Sequence, residues 1–240
     1  MARATKQKPS LPQRIARLTG TVLMALGVLA FVWGFVIWRW GDPVTALYTR
    51  WEQHQLAGKL AVVERKYRLP PPPAAADPLT PTPDPDPKAV AALVRRKARD
   101  LRTATDPGSP LGRIHVSRLG LNMILVDGTD HDSLVRGPGV DRRAYLPGEG
   151  QLVYIAGHRT TYGAPFARID HLQTGDRIEL DMPYGRFVYR VTSHVIVPAD
   201  DLDRLKSHGR EEIALQACHP RFSASGRYIV YACPVSRTLS

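Results

Sequence analysis

Residues 213–232 read IALQACHPRFSASGRYIVYA. Two short apolar runs, 213–217 and 228–232, flank a stretch rich in Ser, Gly and Pro, the pattern of two strands joined by a loop. Read as an antiparallel hairpin, the stretch sets Cys218 and Arg227 opposite each other at its mouth. A thiol beside a guanidinium has its thiolate favoured. The same guanidinium can stabilise an oxyanion during attack on a carbonyl. A cysteine at a strand end is equally a small buried hydrophobe, and the hairpin alone does not choose between these readings.

Upstream, the same punctuation recurs. The segments 113–119, 122–126, 152–156, 177–180 and 186–197 are short apolar or alternating runs separated by Gly, Pro and Asp. Strands of this length and spacing predict an all-β barrel or sandwich over residues 111–240. At about 130 residues this is an ordinary single-domain size. Residues 200–206 predict a short helical turn at most.

His158 ends one of these runs, in AGHRTTYGAPF (156–166). A histidine at the mouth of a strand suits a proton shuttle near neutral pH, although a single histidine is more commonly structural. His54, His115, His131, His171, His194 and His208 have no comparable setting. His219 adjoins the thiol, but successive residues on a strand point to opposite faces, so it is expected to point away from Cys218.

Two cysteines exclude a disulfide scaffold and a four-thiolate metal site. If Cys218 faces Arg227, Cys233 lies six residues further along the strand, about 20 Å away at roughly 3.3 Å per residue. A disulfide needs Cα atoms within about 7 Å. Cys218 is therefore expected to be a free thiol and Cys233 a packing residue.

The 240 residues carry 33 Lys+Arg against 22 Asp+Glu, a formal charge of +11. Taken as an average, this points to nucleic acid or an anionic membrane. Resolved by segment, residues 1–17 carry +5 with no acid, 39–110 carry +4 and 111–240 only +2. No nucleic-acid-binding motif accompanies the charge, and no nucleic-acid partner is expected. Residues 18–38 contain no charge (LTGTVLMALGVLAFVWGFVIW), which matches the about 20 apolar residues of a single membrane span. The basic tail at 1–17 and the tryptophans at 33, 38 and 40 predict a cytoplasmic N-terminus, with everything after residue 40 outside. An uncleaved anchor is preferred over a signal peptide, because the run is long and no small-residue cleavage site follows. Residues 39–110 read as an extracytoplasmic stalk. Within it, 43–68 is polar and helix-prone, 70–87 is a proline-rich spacer with nine of the 21 prolines, and 88–103 is a basic connecting helix with poorly separated sides.

Together these residues resemble a sortase, one of the cysteine transpeptidases of Gram-positive surfaces. The resemblance covers about 110–234 and is similar to the class E group of high-GC Gram-positives (actinobacteria). It rests on PLGRIHVSRLGLNMILVDGTD, LPGEG, AGHRTTYGAPF, TGDRIEL, PYGRFVYRV and ACHP followed by Arg227. It implies a closed eight-stranded β barrel with short helices, preceded by one transmembrane helix and a Pro-rich stalk. It also implies Cys218 as nucleophile, His158 as general acid/base and Arg227 as stabiliser of the oxyanion and substrate. The implied reaction cleaves a C-terminal LAXTG/LPXTG-like sorting signal of a secreted surface protein between Thr and Gly. The chain is then passed to a cell-wall precursor amine, with no cofactor and no metal. Substrate contacts are expected at Ala217, Thr160, Tyr162 and Tyr145. The family usually carries Thr where this sequence has Ala217, and a Tyr linked to signal choice near Asp141, with Tyr145 following a little later. Ala217 motivates the alternative of a degenerate, non-catalytic sortase-like surface module that binds peptide.

Overall fold

The computed structural model describes residues 11–40, 42–69 and 86–239. The chain divides into two units, residues 1–41 and 42–240. The first is described as one helix, α1 (Leu11–Trp40). Its segment Leu11–Ile37 is long and apolar enough to cross a membrane. Thr19 and Thr21 within it donate to the carbonyls of Ile15 and Arg17, so neither hydroxyl needs a partner outside the helix. The first ten residues of the basic tail lie outside the described residues, as do positions 70–85 of the proline-rich segment.

In the second unit eight strands close a barrel: β1 (Pro110–Val116), β2 (Leu121–Asp127), β3 (Gly139–Val140), β4 (Leu152–Ala156), β5 (Arg177–Met182), β6 (Gly185–Pro198), β7 (Glu212–His219) and β8 (Gly226–Thr238). Their order is β1-β2-β3-β4-β7-β8-β6-β5, and β5 pairs back onto β1. The expected closed barrel is therefore observed. The choice of barrel over sandwich lies in β6 and β8, which pair antiparallel from Arg186↔Thr238 to Pro198↔Gly226 with register shifts near Tyr189 and Ser193. Such irregularities bend a strand and let a sheet curl onto itself. β4 is buried on both faces, as its uninterrupted LVYIA predicts. Val153 and Ile155 enter the barrel core, whereas Leu152 and Tyr154 join a second cluster with Val197, Ala214 and Ile229.

Strand β3 and the single-turn helix α4 (His131–Leu134) have no counterpart in the sequence reading. A two-residue strand has no periodicity to detect. Its constraint is steric instead: a Cβ at Gly139 would lie 2.0 Å from the Gly128 carbonyl oxygen.

Within the 39–110 region expected to form a stalk, two helices lie on the barrel. Helix α2 (Pro43–Tyr67) starts at Asp42, whose side chain accepts from the Val44 and Thr45 amides, with Pro43 in the first turn. It buries Thr49, Leu56, Leu60 and Tyr67, and Leu56 and Leu60 pack on Ile124 and Val126 of β2. Gln53 reinforces the contact, donating to the carbonyls of Ile124 and Arg136 while accepting from the Ile124 amide at 2.7 Å. Helix α3 (Pro87–Ala104) is capped by Asp86 and buries Val94, Ala98 and Leu101 in the barrel core. Its sides are thus well separated, contrary to the sequence reading. Val94, Ala98 and Leu101 recur at helical spacing, so the buried stripe is present in the sequence even though one of its members is an alanine. Arg102 then pairs with Glu149, whose side chain is 3% exposed and also accepts from the Leu146 amide.

Candidate active site

Strands β4 and β7 run parallel and in register from Leu152↔Glu212 to Ala156↔Gln216, and the Gly157 amide donates to the Gln216 carbonyl at 3.0 Å. Two residues beyond this pair stand His158 and Cys218. On the other side of β7, antiparallel pairing sets Cys218 directly opposite Arg227 of β8. Three adjacent strands therefore deliver His158, Cys218 and Arg227 to one end of the barrel. All three line a single cavity of about 290 Å³. Gly157 permits this placement of His158, because a Cβ there would come 2.7 Å from the ring of the fully buried Phe166.

Strand alternation sorts the neighbours. Gln216 and Cys218 line the cavity, whereas Leu215 and Ala217 are fully buried in the barrel core. His219 turns away from the cavity and meets Arg159, as expected. Both thiols are free.

His158 is half-buried, and its Nε2 is enclosed with no hydrogen-bond partner among the described residues. Burial, and secondarily the neighbouring His131, holds its pKa below the ordinary histidine value. The ring of Tyr162 lies 5.0 Å from the imidazole, and His131 lies 6.5 Å away. Tyr162, Gly163 and Ala164 all have positive φ. The Tyr162 amide donates to Thr45 Oγ1 of α2 at 2.8 Å, so α2 helps hold this strained turn against His158.

Arg227 is anchored by its Nη1, which donates to the carbonyls of Ala224 and Gly226 at 2.9 Å each. Deeper in the cavity Tyr154 donates to Gln216 Oε1 at 3.3 Å. Asp141 is almost fully buried and accepts from Arg143 and Thr129. Burial pushes the Asp141 carboxyl upward, but these donors outweigh it and hold the pKa below the usual carboxylate range. Val197, Leu202, Leu205 and Ile229 give the wall an apolar part, with Asp201 beside them. A thiol, an imidazole with an unpartnered nitrogen and an anchored guanidinium in one cavity are suited to covalent acyl transfer.

The expected substrate contacts fare differently. Ala217 points into the barrel core, because it alternates with Cys218. Tyr145 lies under the Arg102 guanidinium at 5.1 Å, with its amide on the Leu152 carbonyl. Neither lines the cavity. Thr160 is half-buried in the loop after His158, outside the lining. Tyr162 adjoins the site through the His158 ring. Asp141 does line the cavity. The sequence reading sets His131 aside and quotes Arg159 only within AGHRTTYGAPF, with no role. Nothing around His131 in sequence marks it, since α4 and the 156–166 loop meet only in three dimensions.

The family model for the sortase domain matches residues 114–235. Sortase D of Bacillus subtilis is 34% identical over 131 residues, 52% of this chain and 64% of that protein. Sortase SrtE1 of Streptomyces coelicolor is 34% identical over 87 residues, 32% of this chain and 24% of that protein. The chain thus spans less than two thirds of the length of these curated relatives. A sortase D5 transpeptidase of Clostridium perfringens superposes with a TM-score of 0.56 at 20% identity, covering 75% of this chain and 98% of that one, a likeness of fold.

Proposed function

The chain belongs to the sortase family, and from that premise we propose that it is a membrane-anchored cysteine transpeptidase acting on C-terminal sorting signals. The observation that carries this reading is the convergence of His158, Cys218 and Arg227 on one cavity from three adjacent strands. The Cys218 sulfur attacks the carbonyl carbon of the Thr–Gly bond, and His158 takes the thiol proton. Arg227 stabilises the oxyanion, its guanidinium held in place by the loop carbonyls. The C–N bond then breaks, His158 returns the proton to the leaving glycine amine, and a thioester remains on Cys218. A cell-wall amine attacks the thioester, His158 accepts the amine proton, and the thiolate leaves. A His158 that is neutral near pH 7 suits the first step, since it must accept before it donates.

The class E-like assignment and an LAXTG-like signal are supported by the quoted motifs and the match to SrtE1. Sortase D matches over a longer stretch, so the second motif position is the discriminating variable. The apolar α1 supports a single-span anchor, and the basic tail supports a cytoplasmic N-terminus with the barrel outside. Ala217 faces the barrel core and not the cavity, which supports the catalytic reading over a non-catalytic module.

The test is transpeptidation of peptides carrying Pro or Ala at the second motif position, with and without an acceptor amine. Wild-type protein is expected to form the amine-linked product. Cys218→Ala is expected to abolish both product and thioester while keeping the fold. Activity retained in that variant, or no labelling of Cys218 by a thiol-reactive sorting peptide, would reject the enzyme in favour of a binding module.

A further inference from the structure

Arg159 follows His158 in the chain and is only 4% exposed, although it carries a permanent charge. Its guanidinium reaches across the end of the barrel. Nη2 pairs with Asp170 Oδ2 at 2.9 Å. Nη1 donates to the carbonyl oxygen of Cys218 at 3.2 Å and to His219 Nδ1 at 3.0 Å. The guanidinium carbon also lies 5.8 Å from the centroid of the Tyr228 ring. Apart from Asp170, each contact falls on a residue of the site or on its immediate chain neighbour: His219 follows Cys218 and Tyr228 follows Arg227, as Arg159 itself follows His158. Because side chains alternate along a strand, 158, 218 and 227 line the cavity while 159, 219 and 228 meet behind it.

A buried guanidinium is expensive unless paired and hydrogen-bonded. Here the partners of Nη1 and Nη2 come from the end of β7 and the turn at 169–171, and the guanidinium faces the Tyr228 ring at the start of β8. We propose that Arg159 is the positioning residue of the site, holding His158, Cys218 and Arg227 in register from behind the sheet. The proposal rests on the reading of the site as a cysteine transpeptidase. Its physical content is specific. A guanidinium has no acceptor, so His219 accepts on Nδ1 and carries its hydrogen on Nε2. This pins the one imidazole adjacent to the thiol outside the cavity and leaves His158 as the base. The donation to the Cys218 carbonyl fixes the peptide plane from which the thiol projects. Asp170 aims the fork, and its side chain is 43% exposed, so Asp170→Asn keeps a partner of similar shape but leaves the buried Arg159 guanidinium without its counter-charge.

The experiment uses the full chain in detergent and three variants: Arg159→Lys, Arg159→Met and Asp170→Asn. Steady-state transpeptidation is measured beside melting temperature. In parallel, alkylation of Cys218 by iodoacetamide is followed against pH by peptide mass mapping, with Cys233 of the same molecule as internal reference. For Arg159→Met, kcat is expected to fall at least tenfold with KM within about twofold, and the pH dependence of Cys218 alkylation to change while that of Cys233 does not. Arg159→Lys keeps the charge but not the fork, and is expected to recover little. Asp170→Asn is expected to lose kcat severalfold, and it decides the matter should Arg159→Met not fold. Wild-type kcat in folded variants, or a lowered melting temperature with unchanged Cys218 alkylation, would overturn the proposal and leave Arg159 a purely structural ion pair. The alkylation arm needs no sorting peptide. A chain that fails to transpeptidate but shows the alkylation change therefore refutes the enzymatic reading and not the positioning role.

Discussion

At the scale of single residues, the site is governed by what encloses each group. His158 and Cys218 were legible because each ends a buried run beside turn residues. The electrostatics of His158 were not, because they depend on enclosure and on His131 at 6.5 Å. A base whose pKa is lowered stays neutral to lower pH, so the acidic limb of kcat/KM is expected below the ordinary histidine value. His131→Gln removes the charge repulsion and should move that limb upward, towards but not to the ordinary value, since burial is the larger cause. A pH–rate profile of both proteins checks this, and an unshifted or downward-shifted limb in the variant would contradict it. Ala217 teaches the converse. Its expected substrate contact comes from the resemblance, whereas strand alternation, the rule that turns His219 away from the thiol's face, also places Ala217 in the barrel core.

Helices α2 and α3 show at the element scale how helices preceding a barrel become part of it. Their starts were readable from Asp42-Pro43 and Asp86-Pro87, each an N-cap followed by a proline in the first turn. Their docking was not readable, because the buried stripe of α2 is Thr49, Leu56, Leu60 and Tyr67, spaced widely and interrupted by exposed apolar residues such as Leu47 and Trp51. Leu56→Ala is expected to destabilise the barrel unit by about 2–4 kcal/mol, the usual cost of emptying a fully buried leucine site. Val62→Ala, exposed on the same helix, should cost under about 0.5 kcal/mol. Equal effects in denaturant unfolding would show that α2 does not dock through this stripe. Thr45 ties the same helix to the Tyr162 turn, so loosening α2 also loosens the setting of His158.

For the whole molecule, stability and charge follow burial and not composition. Asp127 is 2% exposed, and its pKa is raised to about 6, chiefly by burial and only partly relieved by Arg142 at 3.2 Å. A carboxyl raised on folding contributes its stability fully below its unfolded pKa of about 4, and loses it as pH rises through about 6. Asp127→Asn should therefore gain stability relative to wild type between pH 4 and 7.5, by up to about 3 kcal/mol for a shift of this size. Melting curves across that range check the sign, and a difference independent of pH would refute it. The +11 average resolves in the same manner, into a basic N-terminal tail, a basic region before the barrel and a nearly neutral barrel. The amino-acid sequence by itself determined the apolar helix, seven of the eight strands, and the opposition of Cys218 to Arg227, because periodicity, turn residues and hairpin register are local properties of the chain. Tertiary structure alone decided the two-residue β3, the docking of α2 and α3, the company of His131 and Tyr162 around His158, and the Arg159 fork behind the sheet. These depend on contacts between segments far apart in sequence, whose geometry exists only once the barrel has closed.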